Sequence, residues 1–161
     1  MSGFVQATIY GLLQGGLLAL VAVGFSLVWG VMNVVNLSHG AFVVLGAYLG
    51  WQLHSSLGLD PFLGMILVAA VLFCLGYAVQ RLLINLVVNG PIFITLLLTF
   101  GLELLLVQGM NIVFTANYQS ITTSYAGNAV VLGDIQLPLG RLLAFVLAVV
   151  ITVALVRVMS R

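Results

Sequence analysis

The sequence predicts an all-α integral membrane protein with four to five transmembrane helices, one of them short or broken, and a small external β-hairpin loop. Two observations lead to this fold class. Of the 161 residues, 63% are hydrophobic and only 4% are charged, whereas about a quarter of the residues in a soluble domain are charged. The few charges are also mostly separated by apolar stretches of about 20 residues or more, the length that spans a bilayer as a helix.

The charge content excludes two broad classes of protein. Four basic and three acidic residues cannot cover the surface of a water-soluble globular domain of this size. A net charge of +1 without a basic patch also excludes a nucleic-acid binder. The single Cys74 can form neither an internal disulfide nor a metal site, and we expect it to be a small buried apolar residue.

The predicted helices follow from five hydrophobic segments. Four have spanning length, but the 13 residues of the second reach only about 20 Å as a helix, less than the roughly 30 Å hydrocarbon core. The second segment therefore either extends through His54 to Leu59 or is a broken or re-entrant helix. The segments are Gly3–Met32, Ala41–Leu53, Phe62–Leu83, Ile92–Phe114 and Leu139–Met159.

Helix-start signals precede four of these segments. Asp60-Pro61 offers an N-cap acceptor before a first-turn proline, and Asn89-Gly90-Pro91 is expected to do the same for the fourth segment. Asn36 and Ser38 can cap a helix that begins near His39. Pro138 is expected to open the fifth segment.

The stretch 115–138 is predicted to be an external loop within a single transmembrane domain of residues 1–161. Two short apolar runs around Gly133-Asp134 predict a β-hairpin with a type II′ turn on the membrane surface. Arginine is retained on the cytoplasmic face. Alternating spans put Arg81, Arg157 and Arg161 on one side and Arg141 on the other, so the C-terminus is expected to be cytoplasmic.

One acidic residue stands inside a span. Glu103 is the twelfth residue of the fourth segment, where a carboxylate costs about 2.5–3.5 kcal/mol on insertion scales. Thr99 and Gln108 are expected about one turn away on similar faces. These side chains either form a polar lining of a pathway, or Glu103 is a protonated or hydrogen-bonded structural residue that joins helices.

A polar break separates the first two segments, in the sequence V-M-N-V-V-N-L-S-H-G. Such breaks are where transporters expose backbone and helix N-termini to a substrate. A helix that begins near His39 would direct its positive dipole end at an anionic group such as a carboxylate. The alternative is a cytoplasmic turn with helix caps only. The candidate residues of the break are Asn33, Asn36, Ser38, His39 and Gly40.

Glycines four residues apart predict close helix packing, because small residues let membrane helices approach one another. The two pairs are Gly11 with Gly15 and Gly46 with Gly50; ordinary membrane-helix composition would also explain them. Enzyme signatures are absent: there is no zinc-protease motif, no catalytic triad and no phosphate-binding loop. The chain is therefore expected to be no enzyme and to bind no metal or cofactor itself.

Two blocks of the sequence resemble a known family, and together with the hairpin after them the resemblance covers nearly all 161 residues. The run from Ile9 to Trp51 contains Gly30 through Gly40, with the pattern N-x-x-H-G, and then Gly46-Ala47-Tyr48. It resembles the opening of the branched-chain amino acid permeases of ABC importers. A second block, PIFITLLLTFGLELLLVQ, is similar to the fourth segment of that family.

The resemblance implies a multi-pass subunit of the bacterial inner membrane that forms part of a translocation pathway. Its expected partners are a second permease subunit, two cytoplasmic ATPase subunits that use ATP, and a periplasmic substrate-binding protein. The solutes would be branched-chain amino acids or similar small polar molecules. The resemblance covers only the N-terminal part of the family's chains, so a fragment without the ATPase-docking loop is expected. The alternative is a self-contained channel or facilitator for a neutral solute such as urea or an amide.

Overall fold

The computed structural model describes residues 2–115, 117–121, 129–132 and 135–159, and over this part of the chain it is almost entirely helical. This confirms the predicted all-α class. The helices are α1 (Ser2–Met32), α2 (His39–Leu57), α3 (Pro61–Val79), a π-helical turn (Gln80–Ile84), α4 (Asn85–Val87), α5 (Ile92–Phe114) and α6 (Leu139–Met159). The strands are β1 (Ala129–Leu132) and β2 (Ile135–Pro138).

Four stretches of the described chain are long and apolar enough to cross a membrane. Their mean hydropathy lies between 2.0 and 2.8, and few of their side chains are buried within the chain. Exposed apolar side chains of this kind are stable against lipid or against other membrane helices. The stretches are Gly3–Met32, Pro61–Val87, Ile92–Phe114 and Leu139–Met159, in agreement with four of the five predicted segments.

The second segment is one unbroken helix, α2, of 19 residues. It extends past the predicted end to Leu57, where Gly58 adopts a left-handed φ of 64° and its N–H bonds to the His54 carbonyl. Glycine suits this position because it has no Cβ. The helix is about 28 Å long, so of the two alternatives the structure shows the extended helix. By hydropathy α2 is not among the four stretches above.

The two helix starts that combine a predicted cap residue with a proline have different outcomes. The Asp60 cap is confirmed: its carboxylate accepts a hydrogen bond of 2.9 Å from the Phe62 N–H, and Pro61 is the first helical residue. The Asn89 cap is wrong. Helix α5 begins after Pro91 without a side-chain cap, and the Gly90 N–H bonds back to the Val87 carbonyl, so this turn belongs to the end of the preceding helix.

The third segment contains a π-helical turn that the sequence does not predict. It covers Gln80–Ile84, and the helix continues beyond the predicted end at Leu83 as far as Val87. Hydrogen bonds brace the turn at 2.9 Å from Gln80 to the Asn85 amide oxygen and at 2.8 Å from Arg81 to the Tyr77 hydroxyl. Single π turns recur at functional sites in helices.

The chain divides into two compact units, of which the first combines residues 1–26 with residues 122–161. In this unit a Cβ on Gly16 would collide with the Phe145 ring, and the Arg141 guanidinium lies 5.1 Å from the centroid of the Tyr10 ring. The strands β1 and β2 are antiparallel, with Leu132 opposite Ile135. The hairpin is thereby confirmed, while its predicted turn residues, Gly133 and Asp134, lie outside the described residues.

The second unit, Leu27–Ile121, is built around α2, which packs on α3 and α5. A Cβ on Gly46 would approach the Leu72 side chain to 3.1 Å, whereas Cβ atoms on Gly11, Gly15 and Gly50 would meet nothing within 4 Å. Cys74 is exposed on α3, so the expectation that it is buried is wrong. Its apolar character suits a surface that faces lipid.

Candidate functional site

The break between α1 and α2 is a short non-helical segment, residues 33–38, with a defined backbone. Asn33 has a φ of 53°, in the left-handed region that Asn tolerates better than most residues. Its N–H still bonds to the Trp29 carbonyl at 2.8 Å. The chain therefore leaves α1 in a sharp, hydrogen-bonded bend.

The Asn36 side chain organises the second half of the break. Its amide oxygen accepts from the Ser38 N–H at 3.1 Å and from the Ser38 hydroxyl at 2.6 Å. Ser38 is fully buried and makes no side-chain cap bond to α2. The expectation that these two residues cap the helix is therefore wrong: because the Ser38 hydroxyl donates to Asn36, the pair closes an Asx-type turn before the helix begins.

Thr99 of α5 joins this break across the helix interface. Its hydroxyl oxygen accepts from the Leu37 N–H at 3.2 Å and lies 3.0 Å from the Val35 carbonyl, to which its O–H can donate. The side chain is fully buried. One threonine can thus serve both a donor and an acceptor of the non-helical backbone, as buried backbone groups require; the Leu96 carbonyl of α5, at 3.1 Å, is the other acceptor within reach of the same O–H.

The break lies well inside the length of α5. Thr99 is the eighth residue of that helix, so it stands about 10 Å from the first residue at 1.5 Å per residue. Irregular backbone at membrane depth is tolerated only where protein buries it or where it lines a cavity. Val34 and Ser38 of the break are buried against the rest of the chain, as this rule requires.

A cavity of about 300 Å³ lies next to the break, between α2 and α5. Gly40 of α2 and Glu103 of α5 line it together with the polar side chains of Tyr48 and Asn111. Its remaining walls are apolar, among them Val44, Val107 and Met110. A few polar groups in an apolar concavity are typical of small-molecule sites. We call it the acidic cavity.

A second cavity of about 370 Å³ lies toward the C-terminal ends of α2 and α5. Its lining includes the aromatic side chains of Tyr48, Trp51 and Tyr118 and the amides of Asn117 and Gln119. Tyr48 belongs to both cavities, and its ring stacks on Phe114 with centroids 4.8 Å apart and planes 12° from parallel. We call it the aromatic pocket.

A four-residue spacing on α5 identifies two residues, Thr95 and Asn111, that the sequence analysis did not select. Thr95, Thr99, Glu103 and Asn111 all fall on one i, i+4 row of the helix. Thr95 is buried and bonds to the Ile92 carbonyl at 2.8 Å, and Asn111 lines the acidic cavity. The row was visible in the sequence, because residues four apart share a helix face.

Gln108 lies on a different face of α5 from Glu103. It is five residues after Glu103, about 140° around the helix, and the expectation that the two share a face is wrong. It lines a larger groove of about 760 Å³ with side chains that are nearly all apolar, such as Leu83, Leu97 and Leu105. We call it the apolar groove. Of the break residues, Asn33 and Gly40 are exposed and His39 is half-buried.

The described residues contain no group of three or more side chains suited to hold a metal ion. In the second unit, the charged side chains Asp60 and Arg81 have the partners given above. Glu103, by contrast, has no hydrogen bond or ion pair with any described residue. The site therefore offers one unpartnered carboxyl group, one amide and one phenol to whatever enters.

Comparison with known proteins assigns the chain to a family. The family model for the permease component of the branched-chain amino acid transport system matches residues 7–161. The high-affinity branched-chain amino acid transport system permease protein BraD of Pseudomonas aeruginosa is 27% identical over 79% of this chain and 44% of its own length. The corresponding permease protein LivH of Escherichia coli is 27% identical over 74% of this chain and 38% of its own.

LivH of Salmonella typhimurium is 26% identical over similar shares of both chains. The chain thus spans less than half the length of these curated relatives. No solved structure gives a significant match. With the family model matched over nearly the whole chain and the apolar helices in place, the protein belongs to the permease components of branched-chain amino acid transport systems.

Proposed function

We propose that the chain forms part of the translocation pathway of an ABC importer for branched-chain amino acids or similar small polar solutes. The observation that carries this proposal is the family match over residues 7–161. The relatives are named as transport permeases, which supports a transport role and no catalytic one. The protein would lie in the bacterial inner membrane, with ATP hydrolysed by two partner ATPase subunits.

The break, the acidic cavity and the aromatic pocket are the proposed pathway within this chain. Gly40, next to the break, lines the acidic cavity, and Tyr48 lines both the acidic cavity and the aromatic pocket. Alternating access would require α2 and α5 to shift relative to each other. The bonds of Thr99 to Val35 and Leu37 hold α5 against the break that precedes α2.

Uptake measurements test the proposal against the channel alternative. The gene is deleted and restored in its native host, and uptake of labelled leucine, isoleucine, valine and urea is followed with and without depletion of ATP. We expect deletion to abolish an ATP-dependent component of amino-acid uptake. Downhill flux of urea that persists without ATP and disappears on deletion would instead identify a facilitator.

The proposed orientation places the loop 115–138 and the hairpin outside and the C-terminus in the cytoplasm. It is supported by Arg81 and Arg157, which lie near the C-terminal ends of their spans. Alternation puts these two ends on one side of the membrane, where arginine is retained when that side is cytoplasmic. A membrane-impermeant maleimide tests it in a Cys74→Ala background. Ser120→Cys is expected to react in intact spheroplasts and Asn89→Cys only after permeabilisation; the reverse pattern would invert the topology.

A further inference from the structure

We infer that the acidic cavity is a recognition site for an organic ammonium group attached to a small apolar body, with Glu103 as the group that binds the ammonium. This inference rests on the proposed transport function and specifies the part of the solute that this chain recognises. The three observations behind it are the unpartnered carboxyl group, the apolar walls and the aromatic pocket that adjoins the cavity.

Glu103 provides the charge. It is the twelfth of the 23 residues of α5, half-buried, and it has no bonding partner among the residues that the structure describes. A carboxylate inside a membrane protein normally faces a partner, a cavity or a water-filled path. Here it faces a cavity, so a cationic ligand would supply the missing partner through a charge-assisted hydrogen bond.

The walls provide the second part of the recognition. Val44, Val107 and Met110 are among the apolar residues that line the acidic cavity, and Asn111 adds one amide. A volume of about 300 Å³ lies at the lower end of the range for small-molecule sites. Apolar walls at this size favour a ligand with a compact hydrocarbon part and disfavour an inorganic cation, which would lose its hydration without replacement.

The aromatic pocket also favours a ligand with a positively charged ammonium group. Tyr48, Trp51 and Tyr118 line the pocket, and none of the described residues that line it is charged. The faces of Tyr and Trp rings attract ammonium groups and not carboxylates. Because Tyr48 borders both cavities and is held by its stacking on Phe114, an ammonium group could pass from aromatic faces to the Glu103 carboxylate along one wall.

Thiol protection tests this assignment without any partner subunit. Val107→Cys, in the Cys74→Ala background of the full-length protein in lipid nanodiscs, places a reactive thiol in the acidic cavity. Leu105→Cys places the matched thiol in the apolar groove. The probes are leucine, isopentylamine, which lacks the carboxylate, and 4-methylpentanoate, which lacks the ammonium. The readout is the rate of reaction with small methanethiosulfonate reagents.

We expect leucine and isopentylamine to slow the reaction of Val107→Cys about tenfold at ten times their Kd, since only the unoccupied fraction reacts. 4-Methylpentanoate is expected to give no protection, and Leu105→Cys to be unprotected by any probe. Glu103→Gln should remove the protection by isopentylamine, whereas Glu103→Asp should retain part of it. The Val107→Cys thiol should also react faster with a cationic methanethiosulfonate than with an anionic one. Glu103→Gln should lower the ratio of these two rates.

Three results would overturn the inference: equal protection by 4-methylpentanoate, unchanged protection by isopentylamine in Glu103→Gln, or a Val107→Cys thiol that reacts with no reagent. If Glu103→Gln does not fold, the response of Glu103→Asp and the ratio of the two reagents decide. The assay needs neither ATP nor uptake. ATP-dependent amino-acid uptake without amine-dependent protection would refute this site and leave the proposed function standing, and protection without such uptake would do the reverse.

Discussion

Helix α5 has a cavity on each of two faces, and the two cavities differ in volume and in the polarity of their walls. The acidic cavity has about 300 Å³ and combines Glu103 and Asn111 with apolar walls. The apolar groove has about 760 Å³, and Gln108 is the one polar side chain among the described residues that line it. The larger concavity thus has fewer polar groups that could bind a solute. In a membrane protein an apolar groove is the ordinary surface for lipid or another helix, so polarity and not volume distinguishes a site.

The two faces of α5 also differ in their contacts with the rest of the chain. On the acidic side, α2 and the break pack against α5, and Thr99 bonds to Val35 and Leu37. On the other side the large side chains Leu97, Leu104 and Leu105 are exposed in the described chain. The comparison therefore predicts that matched substitutions on α5 have unequal effects, depending on the face.

The largest effect is expected from Thr99→Val. The substitution preserves the shape of the side chain but leaves the Leu37 N–H and the Val35 carbonyl without their partner, at about 1–3 kcal/mol for each buried group. We expect the free energy of unfolding in lipid to fall by about 2–6 kcal/mol, the sum for the two groups. Thr99→Ser, which keeps the hydroxyl, should recover most of this loss.

Thr95→Val is the matched control, because Thr95 is equally buried on the same helix and bonds only to a carbonyl of α5 itself. Its cost is expected to stay near 0.6 kcal/mol, the average for such side-chain bonds in membranes, within about a factor of two. Equal losses for Thr99→Val and Thr95→Val would show that the bond to the break is not what stabilises this face.

An intermediate effect is expected when the amides on the two faces are exchanged for leucine. Asn111→Leu removes a hydrogen-bonding group from the acidic cavity, and the loss of one such bond corresponds to about a threefold to tenfold fall in uptake. Gln108→Leu completes the apolar groove and should leave uptake near the wild-type level. Uptake that is lowered more by Gln108→Leu than by Asn111→Leu would contradict the assignment of the faces.

The smallest effect is expected from two glycines, one in each cavity. A Cβ at Gly40 or at Gly101 would meet nothing within 4 Å, so both alanine variants should fold. Gly40→Ala narrows the acidic cavity and should lower the uptake of the bulkiest solute about twofold, less than 0.5 kcal/mol. Gly101→Ala should not change uptake. A competition series of solutes of increasing size measures the difference.

The sequence alone determined the membrane class, because 63% hydrophobic residues and 4% charged residues are stable as a folded chain only in lipid. It also determined the bounds of the apolar helices to within a few residues. Local chemistry identified the Asp60 cap and the paired strands of the hairpin. These features depend on neighbouring residues and on length, which the sequence contains in full.

Features that depend on contacts between distant residues could not be predicted from the sequence. The π turn at Gln80–Ile84 follows from no local pattern, and the Asn89 cap failed because the Gly90 N–H bonds to the end of the preceding helix. Thr99 and Glu103 were selected as polar residues inside a span, but Gln108 was selected on the same ground and lies on another face. Spacing on the helix would have separated them and would have added Asn111.

Tertiary structure decided what the polar residues do. The sequence contains a break around Asn36 and Ser38 and a separate polar row on α5. Only the packing of α2 on α5 brings the Thr99 hydroxyl to the backbone of Val35 and Leu37, some 60 residues away along the chain, and encloses a cavity against Glu103. The physical reason is that a buried backbone group must find a partner wherever the fold provides one, and that partner is not encoded by its neighbours in sequence.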